Sequence, residues 1–333
     1  MQIVSRAPAR IDLAGGTLDL WPLYLFFEDA ITINVAVNLF ATAKLESVAG
    51  AGIEIISKDQ NASDRAESLG VLSKEGKLSL VSRLIHHFAP SSGFRIETDS
   101  MVPAGSGLGG SSSLAIAVCG ALNEYTKKGY SPEDLIAVAR DVEAQVLGIP
   151  TGEQDYYAAV FGGFNAWHFR VRSVERKNYA MDLSEIQERL LLFYTGVPRS
   201  SGINNWQVFK SCIDGDVAVR QALRTIREET IKVDHAIQNE DWGEAYEAIH
   251  NEWTARKTLA PSITTPEIEE LIEFGITNGS RAGRVCGAGG GGCVVFLIDA
   301  FTRPYLYDLA KERNYHLLDF EVVSEGLTVS VIS

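Results

Sequence analysis

The chain has 333 residues, with 30 Lys or Arg and 43 Asp or Glu, and its formal net charge is −13 at pH 7. This length predicts two domains or one large one, and the acidic balance argues against non-specific nucleic-acid binding, which needs Lys and Arg to displace phosphate counterions. Hydrophobic residues make up 46% and charged residues 22%, so wholesale disorder is excluded.

The first hundred residues are predicted to be mostly β-structure. Runs rich in β-branched and apolar residues predict strands over 31–38, 40–48, 53–57 and 94–98. Apolar residues recur at helical spacing in Leu78–Phe88, which predicts a helix there. The segment Ser111–Tyr125 is apolar on nearly every face, so we expect a buried helix.

A third helix has a clear start signal. Ser131 is a good N-cap residue and Pro132 suits the first helical position, so a helix is predicted from there to about Leu147. The rest of the chain predicts strands over 164–170, 190–194 and 293–298, long helices over 217–238 and 242–259, and a final helix followed by two short strands. We place a domain boundary near residue 170.

The segment PAGSGLGGSSS, residues 103–113, has the features of a phosphate-binding loop. Glycines allow successive backbone N–H groups to turn toward an anion, and the next helix begins with four unpaired N–H groups and the positive end of its dipole. Hydroxyl groups that could bind phosphate oxygens or Mg²⁺ are supplied by Ser106, Ser111, Ser112 and Ser113.

Two alternatives for this loop are weaker. A flexible Gly/Ser linker would not be joined to a wholly apolar helix. The loop satisfies G-x-G-x-x-G through Gly105, Gly107 and Gly110, but Pro103 interrupts the approach and a turn over 127–132 stands where a dinucleotide fold needs an acidic residue. No Gly-Lys-Ser/Thr follows, so the loop is not a Walker A motif.

The loop resembles the ATP-binding motif P-x-x-x-G-L-G-S-S-A of the superfamily of galactokinase, homoserine kinase, mevalonate kinase and phosphomevalonate kinase, the GHMP kinases. The matching positions are Pro103, Gly107, Leu108, Gly109 and Ser111, whereas Gly110 and Ser112 replace the usual Ser and Ala. The segment RAPARIDLAGG, residues 6–16, is similar to the family's substrate-side strand and turn, and CGAGGGGC, residues 286–293, resembles its third motif. Three motifs in the expected order span nearly the whole chain.

Within the superfamily the chain is most similar to the sugar-1-kinases, especially the heptose 7-phosphate kinases. The segments that carry this similarity are residues 14–22, 152–164, 194–202 and 283–296. One departure adjoins Asp19, because Thr17 and Leu18 stand where that branch usually has Gly and Thr. The departure leaves the exact sugar open.

The resemblance implies a two-domain α+β fold, with a ribosomal protein S5 domain 2-like N-terminal domain, residues 1–170, and a ferredoxin-like C-terminal domain, residues 171–333. It also implies an ATP- and Mg²⁺-dependent kinase that transfers a phosphoryl group to a sugar hydroxyl, the anomeric one, with heptose 7-phosphate as the first acceptor. Two alternatives stay open: a non-catalytic sugar- or nucleotide-sensing protein on the same fold, and a kinase with a mevalonate-type acceptor.

The resemblance also assigns site residues. Asp155 would handle the acceptor proton, Arg10 would hold Asp155 ionised, and Glu143 with Ser111 would bind Mg²⁺. The residues expected to bind ATP are Pro103, Gly105, Ser106, Gly107, Leu108, Gly109, Gly110, Ser111 and Ser112. The residues expected to bind substrate are Gly16, Asp19, Arg199, Gly289 and Gly290, with Arg281 and Arg284 as further candidates for a substrate phosphate.

Each assignment has a simpler interpretation. Asp155 would be a helix cap, Arg10 a surface charge on a strand, and Glu143 an exposed helix residue. Asp19 would be an ordinary turn residue. These interpretations differ from the functional ones in burial and in contacts.

The remaining sequence features concern location and partners. Four cysteines are too few for a disulfide scaffold, and no CxxC pair suggests zinc. The N-terminal segment lacks the apolar core of a signal peptide, and no run reaches the ~18–20 apolar residues that span a bilayer. We expect a cytoplasmic monomer or homodimer that binds a small sugar or sugar phosphate and neither nucleic acid nor membrane.

Overall fold

The fold consists of two β-sheets covered by helices. The computed structural model describes residues 1–198 and 201–332, without the side chains of 201–204. The elements of the first half are β1 (Gln2–Ala14), β2 (Ala30–Ser47), β3 (Ile53–Ser57), β4 (Ala62–Ala66), α1 (Ser79–Phe88), β5 (Phe94–Ser100), α2 (Gly110–Thr126), α3 (Pro132–Leu147), α4 (Gln154–Phe161), β6 (Phe164–Phe169) and β7 (Val174–Asn178). Those of the second half are α5 (Leu183–Glu188), β8 (Leu190–Tyr194), α6 (Ser201–Ile213), α7 (Val217–Gln238), α8 (Trp242–Arg256), α9 (Pro266–Thr277), β9 (Ser280–Val285), β10 (Cys293–Ile298), α10 (Arg303–Glu312) and β11 (Thr328–Ile332).

The larger sheet has eight strands. Six follow the order β11-β1-β2-β5-β3-β4, while β6 pairs with β2 and then with β7. All neighbours are antiparallel except β3 and β5, which are parallel. The first half of β2 pairs with β6 and its second half with β5, so this one strand organises both wings of the sheet.

Strand β2 joins two predicted strands into one. The sequence pattern predicts separate strands over 31–38 and 40–48, whereas β2 is continuous. The predicted break at Leu39 lies at a bulge, because the pairing of β1 with β2 skips two residues of β2 between Pro8 and Ala9. The pattern therefore located an irregularity of pairing and not the end of a strand.

Helix α2 lies at the centre of the first half, as its composition predicts. Every residue from Ser112 to Leu122 is buried, and the helix packs against β1 and β2. Gly120 permits this close approach, since a Cβ there would lie 2.7 Å from the Ser5 hydroxyl oxygen. The predicted start of α3 is also confirmed, with the Ser131 side chain accepting the N–H of Asp134 in a capping box.

The smaller sheet has three antiparallel strands in the order β8-β10-β9. Leu317 adds one isolated bridge to Phe193 at the β8 edge, where a fourth strand would pair. Of the two closing strands predicted from the sequence, the described chain forms one, β11, and it pairs with β1 of the larger sheet. None of the described helices has the length and apolar character needed to cross a membrane.

The polypeptide passes between the two halves more than once. The predicted division between residues 170 and 171 falls inside the hairpin of β6 and β7, and β11 returns to the larger sheet. We therefore propose a division after Asn178, with β11 counted in the first unit. Helices α7 and α8 pack on each other; α7 contacts the larger sheet, and α8 contacts both sheets.

Candidate active site

A cleft of about 810 Å³ brings most of the predicted site residues together. The predicted residues that line it are Arg10, Gly16, Asp19, Pro103, Gly105, Ser106, Gly107, Gly109, Gly110, Ser111, Ser112, Glu143 and Asp155. They come from β1 and the turn after it, from the loop before α2 and the first turn of α2, from α3 and from the start of α4. Segments far apart in the sequence therefore converge on one concave surface.

Arg10 and Asp155 form an ion pair inside this cleft. The Nε of Arg10 donates to Oδ1 of Asp155 at 2.7 Å, and Nη2 lies 2.6 Å from the same oxygen. Arg10 is 2% exposed, so it is not a surface charge, and Nη1 donates to the carbonyl of Gly107 at 2.6 Å. Burial lowers the pKa of Arg10, but the charges of Asp155 and Asp12 raise it on balance. Arg10 thus links the glycine loop to Asp155 as a cation.

Asp155 lies in the first turn of α4 but does not cap the helix. The N-cap position belongs to Glu153, and no side-chain cap hydrogen bond is found at this described helix start. Both carboxylate oxygens of Asp155 are near cleft groups, since Oδ1 contacts Arg10 and a Cβ placed on Gly109 would lie 3.2 Å from Oδ2. The carboxylate is thereby held beside the glycine loop.

The glycine loop has a backbone shape that side chains would hinder. Gly105, Gly107 and Gly109 have φ values of 69°, 84° and 76°, in the left-handed region that favours glycine. Helix α2 then begins without a side-chain cap hydrogen bond. The Ser106 hydroxyl is buried and has no hydrogen-bond partner among the described residues. Unpaired amides at a helix start and an unsatisfied hydroxyl fit an anionic ligand such as a polyphosphate.

Leu108 differs from its neighbours in this loop. Its side chain is fully buried in the core and is not among the described residues that line the cleft. Its carbonyl accepts the backbone N–H of Arg10 at 3.1 Å. The prediction that Leu108 binds ATP is therefore corrected for its side chain, which anchors the loop to the core.

Glu143 is buried at the cleft and is not an exposed helix residue. Its Oε2 accepts the hydroxyl of Ser112 at 3.0 Å and that of Tyr156 at 2.5 Å. Burial raises the pKa of Glu143, while hydrogen bonds from Tyr156, Ser111 and Ser112 oppose the rise. No group of three or more His, Cys, Asp or Glu that could hold a metal occurs in the described part of the chain.

Asp19 faces the cleft from the turn after β1. It is 3% exposed, and its Oδ2 accepts the backbone N–H of Gln154 at 3.1 Å. Burial and the charge of Asp155 raise its pKa to about 7, although the Gln154 N–H opposes this. A Cβ on Gly152 would lie 2.4 Å from Oδ2, so glycine is needed where this segment meets Asp19.

The third glycine loop contributes different residues from those predicted. Gly287 and Ala288 line the cleft, whereas Gly289 and Gly290 are not among its described lining residues. Gly290 donates its N–H to the carbonyl of Ile263 at 2.8 Å, and a Cβ on Gly289 would lie 2.4 Å from that oxygen. The predicted substrate-binding pair instead packs against the chain before α9.

A buried network of charges, not predicted as a unit, supports the substrate side of the cleft. Arg284 is fully buried, with Nη2 3.3 Å from Asp12 Oδ2 and Nη1 3.0 Å from Glu252 Oε2. Arg256 lines the cleft and donates to the carbonyls of Gly16 at 2.6 Å and Gly287 at 3.0 Å. The network therefore joins β1 and the turn after it to α8, β9 and the third glycine loop.

Three arginines were candidates for a substrate phosphate. Arg284 is enclosed by the network and donates to the carbonyl of Leu13, so it is directed away from a ligand. Arg281 is exposed and lies 4.0 Å from Asp299 outside the cleft lining. Arg199 lies outside the described residues. A fourth arginine, Arg256, lines the cleft but was not predicted. The sequence places it four residues after Glu252 on α8, and such a pair by itself is typical of an exposed helix face.

Two family models match the chain. The model "GHMP kinases N terminal domain" matches residues 78–163, and "GHMP kinases C terminal" matches residues 235–304. The chain is similar to a D-glycero-alpha-D-manno-heptose 7-phosphate kinase of Campylobacter jejuni, with 30% identity over 98% of each chain.

Two solved structures have the same fold. One is a D-glycero-D-manno-heptose 1-phosphate kinase from Bacteroides thetaiotaomicron, with a TM-score of 0.80, 24% identity and coverage of 99% of each chain. The other is a Lactococcus lactis galactokinase complexed with galactose, with a TM-score of 0.80, 16% identity and coverage of 98% of this chain and 95% of that one.

The chain belongs to the GHMP kinase family. It is an ATP-dependent phosphotransferase enzyme on the α+β fold of that family, as the glycine loop, the N-terminal motif and the third glycine loop together predict.

Proposed function

We propose that the protein transfers the γ-phosphoryl group of ATP to the anomeric hydroxyl of a sugar, with a heptose 7-phosphate as the first candidate acceptor. The observation that carries the proposal is the position of Asp155, whose carboxylate lies beside Gly109 of the glycine loop and is paired with Arg10. The name of the Campylobacter jejuni relative supports the choice of acceptor.

The chain's own groups divide the work of the reaction. The amides before α2 and the Ser106 hydroxyl would bind the polyphosphate, and the acceptor hydroxyl would lie next to the terminal phosphate, within hydrogen-bond distance of Asp155. Asp155 would accept a hydrogen bond from this hydroxyl and take its proton as the phosphoryl group leaves ATP. Because Nε and Nη2 of Arg10 both contact Oδ1 of Asp155, the carboxylate is held in a fixed position from which it can align the hydroxyl.

Mg²⁺ would be held by Glu143 with Ser111, together with phosphate oxygens. A single carboxylate with a hydroxyl fits this ion, which prefers hard oxygen ligands and keeps several waters. Mg²⁺ supplies neutralisation of phosphate charge when bound. Glu143 is preorganised for this role, since the Ser112 and Tyr156 hydroxyls fix its carboxylate.

The proposed reaction is tested by incubating the protein with ATP, Mg²⁺ and a panel of acceptors that includes a heptose 7-phosphate, free aldoses and mevalonate. We expect phosphorus NMR to show a new anomeric phosphate with the heptose 7-phosphate. If mevalonate is the one compound of the panel that is phosphorylated, the proposal of a sugar acceptor would be wrong. ATP binding without turnover on any acceptor would contradict the kinase and favour a sensing protein.

The pH dependence of acceptor binding should report on Asp19. An ionised carboxylate accepts hydroxyl hydrogen bonds better than a protonated one, and the pKa of Asp19 is raised to about 7. We expect the KM for the sugar to fall about tenfold as pH rises through this value, in line with the strength of charge-assisted hydrogen bonds. Asp19→Asn should raise the KM and remove its pH dependence, measured by steady-state kinetics.

The raised pKa of Asp19 should also make the stability of the protein depend on pH, and a rise in pH that favours acceptor binding should lower stability. The ordinary pKa of Asp19 is 3.8 and its value in the folded chain is about 7, so between these pH values the folded chain holds the extra proton. The free energy of unfolding contributed by Asp19 therefore falls as pH rises through this window.

A pH profile of KM that is identical in wild type and Asp19→Asn would contradict the assignment of Asp19 to acceptor binding.

Gly109→Ala should separate backbone strain from the contact with Asp155. Gly109 and Gly129 have φ values of 76° and 69°, but a Cβ on Gly109 meets Asp155 at 3.2 Å, whereas one on Gly129 meets nothing within 4 Å. Both alanine variants should lose about 1–2 kcal/mol of stability from the left-handed backbone. Only Gly109→Ala should lower kcat, by about a hundredfold, because small displacements at the reacting groups are costly. Equal kcat values for the two variants would contradict this placement.

Glu143→Gln should raise the Mg²⁺ concentration needed for half-maximal activity by about tenfold or more, because an ionised oxygen ligand is lost. The comparison variant is Glu133→Gln, in the first turn of the same helix and outside the cleft lining. Activity is measured across a Mg²⁺ titration. An unchanged titration for Glu143→Gln would remove Glu143 from the proposed metal site.

A further inference from the structure

A second cavity, of about 550 Å³, lies next to the cleft. The segment 150–153 contributes to both, with Gly152 lining the cleft and Glu153 lining the second cavity. The other walls come from the turn after Leu20, from α3 and from the connection between β6 and β7. Its volume is within the range of small-molecule sites.

The walls of this cavity are fixed by contacts near the active site. Leu20 forms an isolated β-bridge with Gly152, and the Gln154 N–H donates to Asp19 at 3.1 Å. These contacts hold the turn that carries Trp21 against the segment that carries Glu153. The cavity is therefore preformed, which lowers the entropy cost of binding a ligand.

The inner part of the cavity presents a buried carboxylate. Glu153 is 2% exposed, with Oε1 accepting the Tyr24 hydroxyl at 3.3 Å and Oε2 lying 3.4 Å from Arg140 Nη1. These contacts are long and use one partner for each oxygen. A carboxylate accepts up to about four hydrogen bonds, so Glu153 has capacity left for the hydroxyls of a ligand.

The cavity also collects three arginines in a protein with net charge −13. Arg140 pairs with Asp141, and Arg170 pairs with Asp29. In the described part of the chain, Arg172 has no ion pair, and it lies in the exposed tight turn that connects β6 to β7. An unpaired guanidinium at the mouth of a cavity matches a phosphate group in charge and geometry.

Aromatic rings complete the site. Trp21 is 55% exposed, and Tyr157 lines the cavity while its ring packs 5.1 Å from the ring of Trp167. A rigid, partly exposed indole provides an apolar face for a ring-shaped ligand. The lining thus combines a stacking face, an acceptor for hydroxyls and a cation for an anion.

We propose that this second cavity binds a phosphorylated sugar, with the sugar ring against Trp21, its hydroxyls donating to Glu153 and its phosphate held by Arg172 and Arg170. The site is separate from the cleft in which the phosphoryl transfer is proposed. It does not depend on which acceptor the enzyme uses, because the argument uses only the groups that line the second cavity.

Isothermal titration calorimetry with α-D-mannose 1-phosphate, D-mannose and inorganic phosphate tests the site. We expect the sugar phosphate to bind wild type more tightly than either fragment. Arg172→Gln should weaken the sugar phosphate and inorganic phosphate about tenfold or more, as the loss of a charge-assisted hydrogen bond requires. Trp21→Ala should weaken the sugar phosphate and leave inorganic phosphate unchanged. The matched control is Arg95→Gln, since Arg95 is exposed on β5 and lines neither cavity.

Each other outcome overturns the proposal. Neither Trp21 nor Arg172 lines the cleft, so binding that survives both substitutions would place the sugar phosphate in the cleft. If Arg172→Gln abolishes binding of the sugar phosphate and Trp21→Ala does not, the cavity would bind anions without recognising the sugar. No binding at millimolar concentration would remove the site altogether. All of these measurements are binding measurements, so a failure of the proposed kinase reaction would not affect them.

Discussion

Asp155→Asn should lower kcat by about 10²–10⁴-fold, the range typical of a side chain that handles the reacting proton. Asparagine keeps the size of the carboxylate but neither accepts a proton nor balances the charge of Arg10, which lies 2.6 Å away. The Kd for ATP should change little, because the loop amides and Ser106 are intact. The two quantities are measured by single-turnover kinetics and by nucleotide titration.

The control for this variant is Asp214→Asn. Asp214 is an exposed aspartate that pairs with Lys210 at 2.6 Å on the protein surface, so its loss should leave kcat and stability nearly unchanged. A kcat for Asp155→Asn close to that of wild type would show that Asp155 neither aligns the acceptor nor takes its proton. The placement of the acceptor beside the glycine loop would then be wrong.

Arg284→Met should destabilise the protein by about 3–5 kcal/mol, the usual cost of removing one partner from a buried ion pair. Methionine preserves much of the side-chain volume, so the loss would report charge more than packing. The change removes the ion pair of Asp12 with Arg284 and leaves Glu252 paired with Arg256, and both carboxylates are fully buried. The free energy of unfolding is measured by urea denaturation.

Arg281→Met is the matched control, since the two arginines lie on the same strand. Arg281 is exposed and its pairing with Asp299 is long, at 4.0 Å, so the expected change is within about 0.5 kcal/mol. Similar unfolding free energies for the two variants would mean that the buried network contributes little to the joint between the two halves.

The elements with strong local signals were predictable from the sequence. The apolar composition of α2 predicts its burial on every side, and the Ser131-Pro132 start of α3 is a local cap that needs no distant partner. The polar hairpin strand β7, with sequence VERKN, lacks the alternation of a half-buried strand and was missed. It forms because its backbone pairs with β6 at the edge of the sheet.

The candidate site was predictable where family motifs mark its residues, but not where a residue reaches the site through contacts with distant parts of the chain. Family motifs identify Arg10, Glu143 and Asp155 as a set, and the structure brings them to one cleft. Arg256 could not be found in this way, because its burial depends on contact with Gly16, 240 positions away in the chain. Spacing alone also could not decide which glycines of the third loop face the cleft, since the contact of Gly290 with Ile263 determines it.

The glycine loop that is proposed to hold ATP is completed by the other half of the molecule. The N–H of Cys293 donates to the carbonyl of Ser106 at 2.7 Å, and Gly292 fits there because a Cβ would lie 2.5 Å from that oxygen. A fragment that stops after Asn178 would lack the hydrogen bond from Cys293 to Ser106. Genetic splitting of the protein should therefore yield no autonomous nucleotide-binding module, and reassembly of the two fragments should be required before ATP protects either from proteolysis.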